Sequence, residues 1–189
     1  MPDDTPLRAC FRTPDGVPLT VRPLQAGDGP ALQAFNEGLG QWTRDHFLPH
    51  AYDDATVAAV IHRALDGTDR TYILLNGDDV VGYLFMWNMP QPIPVLGIGL
   101  SDDYQSMGLG EALMQILIDD ALASERDGIE LTTVLDNERA FALFSKMGFE
   151  YIRNVENMAG DGRMVLEREM FLALRPGASV QRDGYGPPV

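Results

Sequence analysis

The sequence predicts a mixed α/β fold arranged in layers, and three observations carry that prediction. A short apolar run, Val95 to Leu100, is followed by a polar loop, Ser101 to Ser106, and then by Gly108 and Gly110 at the head of a long amphipathic stretch. That is a strand, a glycine-bearing turn and a helix start. Asn76-Gly77 stands between two further apolar runs and signals a tight hairpin. Strand-like and helix-like periodicities alternate along 189 residues, a length that suits one domain with one sizeable core.

Residues 1–18 are rich in Pro, Asp and Thr and read as a loose leader. Leu19 to Leu24 alternates and makes a first strand ended by Pro23. Asp28 is placed to cap a helix from about Pro30, with Leu32, Phe35 and Leu39 on its apolar side. Gln41 to Asp54 reads as an irregular link dense in polar and aromatic groups. A second helix starts near Asp54, carries Val57, Val60, Ile61, Ala64 and Leu65 on its apolar face, and stops at Gly67. Tyr72 to Leu75 and Val80 to Trp87 form the hairpin, with Gly82 at a close contact. Pro90, Pro92 and Pro94 enforce an extended link. The helix after the glycine turn runs from about Gly108 to Ser124. Ile129 to Leu135 is a β-branched buried strand. Asp136 or Asn137 caps a short helix, Glu138 to Met147, which Gly148 ends. Phe149 to Val155 and Met164 to Leu174 close the chain's ordered part. Residues 175–189 read as a tail, which leaves 19–174 as the single domain.

Composition excludes several classes. The net charge is −14, from 14 Lys+Arg against 28 Asp+Glu, which argues against nucleic acid or an anionic membrane as partner. The same field favours cationic substrates, although solubility is the more ordinary reason for such acidity. The apolar runs are too short to span a bilayer. The acidic start, Met1 to Asp4, has no apolar stretch of the kind a signal peptide needs. The one cysteine, Cys10, allows neither an internal disulfide nor a cysteine-rich metal site. These points predict a cytoplasmic protein.

The turn between Gln105 and Gly110 has the physical make-up of an anion site. N–H groups in the first turn of a helix lack intrahelical partners, the dipole adds positive potential, and glycines let a phosphate reach the backbone. No G-x-x-x-x-G-K-[ST] is present, and Gly97-x-Gly99 lies inside the strand with Asp at 102, so neither a P-loop nor a dinucleotide fingerprint applies. The pattern is Gln105-x-x-Gly108-x-Gly110. It resembles the Q/R-x-x-G-x-G/A signature of the GNAT superfamily of acyl-CoA-dependent N-acyltransferases. Asp136 to Phe149 resembles that superfamily's later motif, with Asn137, Ala140, Phe144 and Gly148-Phe149 in the expected places. The resemblance spans roughly residues 19–172.

The resemblance implies a central mixed, mostly antiparallel sheet flanked by helices. It implies acetyl-CoA or another acyl-CoA as co-substrate, lying between two splayed strands. Backbone groups of Ile98, Gly99 and Leu100 would pair with the pantetheine arm. The N–H groups of Gln105, Ser106, Met107, Gly108, Leu109 and Gly110 would hold the pyrophosphate. Asn137 would bond the arm or an ordered water, and Phe144 would pack near the thioester. Two departures stand out. Phe144 occupies the place where many relatives carry a proton-donating Tyr, and Val95 to Leu100 holds no acid where many carry a Glu.

A base is therefore sought elsewhere. His46 and His50 are the candidates, because imidazole titrates near neutrality. Glu37, Asp45 and Tyr83 are candidate acceptor contacts. His46-x-x-x-His50 would face together only on a helix, which Pro49 interrupts, so no metal is predicted. The function expected is N-acetyl transfer to a primary amine, on a small molecule or a peptide, by direct attack in a ternary complex. The alternative is an acyl-CoA-binding sensor or partner module on the same fold with little transfer activity. Dimers being common among relatives, a homodimer is compatible with this reading.

Overall fold

A computed structural model describes residues 8–180 and residue 188. The parts of the leader and tail readings that fall on 1–7, 181–187 and 189 lie outside the described residues. Among the described residues, eight strands form one sheet: β1 (Ala9–Arg12), β2 (Pro18–Pro23), β3 (Arg70–Asn76), β4 (Asp79–Trp87), β5 (Val95–Leu100), β6 (Gly128–Val134), β7 (Glu150–Met158) and β8 (Met164–Ala173). Their spatial order is β1-β2-β3-β4-β5-β6-β8-β7. Every neighbouring pair is antiparallel except β5 with β6.

Helices cover both faces of this sheet. α1 (Gly29–Gly38) and α3 (Asp54–Leu65) pack on one face over Ile73, Val80, Tyr83 and Phe85. α4 (Leu109–Ala123) and α5 (Glu138–Lys146) cover the other, where Leu113, Leu117, Ile129 and Met170 meet Leu84 and Met86. The alternation of strand residues between two apolar layers is why β3 and β4 are buried almost throughout.

Three local readings change. Residues 9–12 are not a loose leader: β1 pairs with β2 as a hairpin, and Ala9, Phe11 and Val17 pack against the α4 side of the core. Asp28 precedes α1 but makes no side-chain cap. Its carboxylate takes a two-pronged ion pair from Arg22 (2.7 and 2.8 Å) and the Gln25 N–H (2.7 Å), so its oxygens are committed elsewhere. The link after Leu39 is not irregular at its start, because Gln41–His46 forms a short helix, α2. The cap of α3 is Asp53, which accepts from the N–H groups of Ala55 and Thr56. At the other end, residues 175–180 have no helix or strand, but the Arg175 N–H bonds the Asp127 carbonyl at 3.0 Å.

Candidate functional site: a cleft where two strands part

β5 and β6 match in register at a single pair, Val95 and Glu130, and then diverge. β5 continues with β4 as far as Leu100, while β6 continues with β8 to the pair Val134 and Glu167. The divergence opens a cleft through the sheet, with a cavity of about 290 Å³ on one side and one of about 140 Å³ on the other. The two meet at His46, Phe47, Ile98, Asn137, Ala140 and Phe144. Gly99 admits the Phe47 ring to this junction, since a Cβ there would lie 2.4 Å from it.

The larger cavity ends at the turn predicted to bind an anion. After β5 a short 3-10 turn, Asp102–Tyr104, carries the chain to Ser106 and Gly108, both at positive φ (61° and 77°), and α4 begins at Leu109. This loop is tied to the α1–α2 segment. Asp102 accepts from the Gly40 N–H and the Thr43 hydroxyl, both at 2.8 Å, and these bonds hold its carboxyl below the usual carboxylate range. Gln105 donates to the Leu100 carbonyl (2.9 Å) and to Thr43 Oγ1 (3.1 Å). The Gln105 side chain thus shapes the loop. The backbone N–H groups that follow, at the start of α4, are what the loop presents to an anion. Ser106, Gly108 and Gly110 line the cavity, whereas the Met107 and Leu109 side chains pack into the core beneath it.

Two cations that sequence reasoning missed complete this end. Arg139 donates to Gln105 Oε1 and to Ser106 Oγ (3.2 Å) and lies over the Trp42 ring. Lys146 pairs with Glu111, and both line the cavity. Arg139 and Lys146 are seven apart on α5, so they share a helix face. That spacing was the available signal, masked by the overall acidity.

The junction is built from α5 and β5. Asn137 Oδ1 caps α5 by accepting from the Ala140 N–H (3.1 Å). Among the described residues its Nδ2 makes no hydrogen bond. Phe144 is 6% exposed and packs near Phe149, with ring centroids 6.3 Å apart. Ile98, Gly99 and Leu100 form the opposite wall.

The two histidines are not brought together. His46, on α2, reaches across the cleft mouth. Its Nδ1 lies 2.6 Å from the Trp42 carbonyl and its Nε2 lies 2.8 Å from Asp136 Oδ1, while the ring stacks on Trp42. Both nitrogens face acceptors, so neither offers a lone pair to the cavity. His50 is fully buried outside both cavities, between the Ala51 carbonyl (2.6 Å) and the Tyr83 hydroxyl (3.1 Å). Burial pushes the His50 pKa down and the Tyr83 pKa up, so the pair sits neutral in the core under α3. A catalytic His50 and an acceptor-contacting Tyr83 therefore have no access to the cleft. Glu37 is exposed on α1 and lines neither cavity. Asp45 does line the smaller cavity, where it accepts from Gln41 Nε2 and lies 3.8 Å from the Arg163 guanidinium.

The β7–β8 hairpin closes the smaller cavity. The Gly160 N–H at its tip donates to the Leu48 carbonyl (2.9 Å), and Gly160 lies against His50 so closely that a Cβ would come within 2.1 Å of its carbonyl carbon. Asn157 and Glu167 of this hairpin form the cavity wall, joined by a bond from Asn157 Nδ2 to Glu167 Oε2 (2.7 Å). Their signal was a strand, Val165-x-Glu167-x-Glu169-x-Phe171, with acids on an inward face.

Among the described residues no group of His, Cys, Asp and Glu is arranged to hold a metal, and no helix is long and apolar enough to cross a membrane. No curated protein matches the chain in sequence. Solved structures do match in fold. The GNAT domain of S. lividans PAT aligns with TM-score 0.73 at 16% identity, covering 88% of this chain and 96% of that one. RimL, a ribosomal-protein alpha-N-acetyltransferase, aligns at 0.72 and 15%, covering 90% and 95%. Spermidine N-acetyltransferase from Vibrio cholerae, in complex with CoA and spermine, aligns at 0.66 and 16%, covering 82% and 95%. A family model described as Acetyltransferase (GNAT) family matches residues 36–149, the span that holds β5, the Gln105–Gly110 turn and the α5 motif. On that match, and on the parted strands that go with it, the chain belongs to the GNAT acetyltransferase family.

Proposed function

We propose that this protein is an acetyl-CoA-dependent N-acyltransferase acting on a primary amine in the cytoplasm, with direct attack in a ternary complex. The observation that carries the reading is the single pair between β5 and β6. It leaves the β5 edge at Ile98, Gly99 and Leu100 open beside a cavity that runs to a helix N-terminus. An amide-bearing arm pairs with such an edge as a strand would. The pyrophosphate suits the N–H groups from Ser106 to Gly110, with Arg139 and Lys146 supplying the counter-charge that the chain as a whole lacks.

The residues of the junction fit the transfer itself. An acyl-CoA supplies an activated thioester, and the cleft would hold it among Ile98, Asn137 and Phe144. A backbone N–H of β5 can polarise the thioester carbonyl, and the Nδ2 of Asn137 can hold the arm. Phe144 has no proton to donate, so catalysis here leans on positioning, which is worth several kcal/mol. Among the described residues no cysteine or serine in the cleft has a base beside it, which supports direct attack over an acyl-enzyme.

The test is calorimetry with CoA together with thiol release from acetyl-CoA across a panel of amines. The proposal expects binding and turnover of at least one amine. Binding without turnover on any amine would favour the binding-module alternative, and absence of CoA binding would sink both.

A further inference from the structure

The smaller cavity lies beyond the junction from the phosphate turn. It is therefore where an acceptor must approach if the preceding reading of the cleft holds, and this inference rests on that reading. Its walls are mixed: Phe47, Phe85, Trp87, Val95 and Val165 form an apolar side, and Thr132, Thr133, Asn157 and Glu167 a polar one. Among the described residues two carboxylates line it, and they differ in one respect. Asp45 already has a cation, Arg163, at its side. Glu167 has none. Its Oε2 accepts from Asn157, and among the described residues its Oε1 accepts no hydrogen bond and no cation lies within ion-pairing distance. Neighbouring acids outside the cavity are spoken for: Glu169 by Arg153, Glu138 by Arg168, Asp136 by His46.

A carboxylate partly removed from water, held at one oxygen and open at the other, is short of a cation. The cavity is small, and the Gly160–Leu48 bond shuts it on the hairpin side. We infer that Glu167 is the acceptor-binding and proton-accepting group of this enzyme, and that the cavity takes the cationic head of an alkylamine. Asn157 positions the carboxylate, and Phe85 and Trp87, stacked at 4.3 Å, wall the alkyl part.

Glu167 Oε1 takes one proton from the ammonium, leaving a neutral amine and a carboxylic acid. The nitrogen lone pair forms the N–C bond at the thioester carbonyl carbon. The C–S bond breaks, and sulfur leaves with its electron pair as thiolate. The proton lost by nitrogen as the amide forms passes through water to the thiolate, and the carboxylic acid returns its proton to solvent. The sum is ammonium plus thioester giving amide, thiol and one proton. This places the base on β8, where the acid missing from β5 is replaced from the far side of the parted strands.

Glu167→Gln tests this, because the amide oxygen can still accept from Asn157. Calorimetry with CoA first establishes that the variant is folded and that its donor site is intact. Binding of n-butylamine in the presence of CoA is then measured, with n-butanol as the neutral control. The variant is expected to bind n-butylamine about tenfold more weakly and n-butanol unchanged. In turnover, kcat/KM for n-butylamine is expected to fall about 10²-fold. Hydroxylamine, largely neutral at the assay pH, should lose far less. Equal losses on both amines, or an unchanged n-butylamine affinity, overturn the inference. The binding arm keeps the outcome separate from the wider reading: a wild-type protein that binds CoA but transfers to nothing refutes the proposed activity, while amine affinity still decides whether Glu167 receives the cation.

Discussion

Gly108 gives the sharpest check on the proposed phosphate turn, because its conformational and ligand-facing roles are separable. The residue sits at φ 77° and ψ 0°, in the left-handed region, directly before α4. A Cβ built there would meet no atom within 4 Å. Replacement by alanine therefore costs backbone strain alone, about 1–2 kcal/mol. Part of this is offset by the lower entropy of the unfolded alanine chain, about 0.4–1 kcal/mol. The net loss is about 1 kcal/mol, or about 2–4 °C in Tm for a domain of this size. Asparagine tolerates the left-handed region, so Gly108→Asn should recover most of that stability. Neither side chain leaves the backbone open to a pyrophosphate. Loss of one charge-assisted bond weakens CoA binding by about 1.5–3 kcal/mol, roughly 10- to 100-fold. Thermal melts of ligand-free protein and calorimetry with CoA read the two effects independently. If Gly108→Asn restores CoA affinity along with stability, the pyrophosphate does not lie against this residue and the reasoning fails.

Other expectations follow from single contacts. Gly110→Ala should leave Tm nearly unchanged, since a helix gain of up to about 1 kcal/mol meets a 2.9 Å approach to the movable end of Leu143. Arg139→Ala removes the clamp on Gln105 and Ser106 and should weaken CoA about tenfold at low ionic strength, with a smaller effect in high salt, measured by calorimetric titration. Asp69→Asn breaks the buried pair with Arg63 (2.7 and 2.8 Å) and should cost about 3–5 kcal/mol in urea unfolding. For His50, burial lowers the folded pKa below the unfolded value of 6.5, so the unfolded chain takes up a proton first. Stability should fall as pH drops below 6.5 and level off beneath the folded pKa. Denaturation curves of His50→Gln across this range should show the slope reduced; an unchanged slope assigns it to other groups.

Much of the site proposed for the donor was legible because it is written locally. Gln105, Gly108 and Gly110 sit within one turn, Asn137 and Phe144 within one short helix, and the two segments are about thirty residues apart. Gly82 likewise reads as a close contact, and a Cβ there would lie 2.8 Å from Leu100. The proposed acceptor side is assembled from residues far apart in the chain, and nothing in the local pattern joins them. Glu167 meets Asn157 across a hairpin and reaches the cleft only because β8 inserts between β6 and β7. His50 looked functional on residue type alone. Its role was decided by Tyr83, which buries it, and by Gly160, which covers it from the distant hairpin. The short helix α2 escaped notice because propensity over six residues is a weak signal and its stability comes from the tertiary bonds to Asp102 and Asp136.

The lone rung between β5 and β6 has a mechanical meaning. Without it, the sheet would be two rafts, β1 to β5 and β6 to β8, tied by α4, which packs on β4, β5 and β6, and by bonds from Arg126 and Asp127 to the Pro90 and Pro92 carbonyls. An extended molecule bonded along the gap replaces the missing rungs and turns two rafts into one deck. Saturation at a hundred times Kd adds about 2.7 kcal/mol to folding, and this arrangement spreads that gain over strands that never touch the ligand. Slower hydrogen exchange on both banks of the gap, in β7 and β8 as much as in β5, is the mark such a splint would leave.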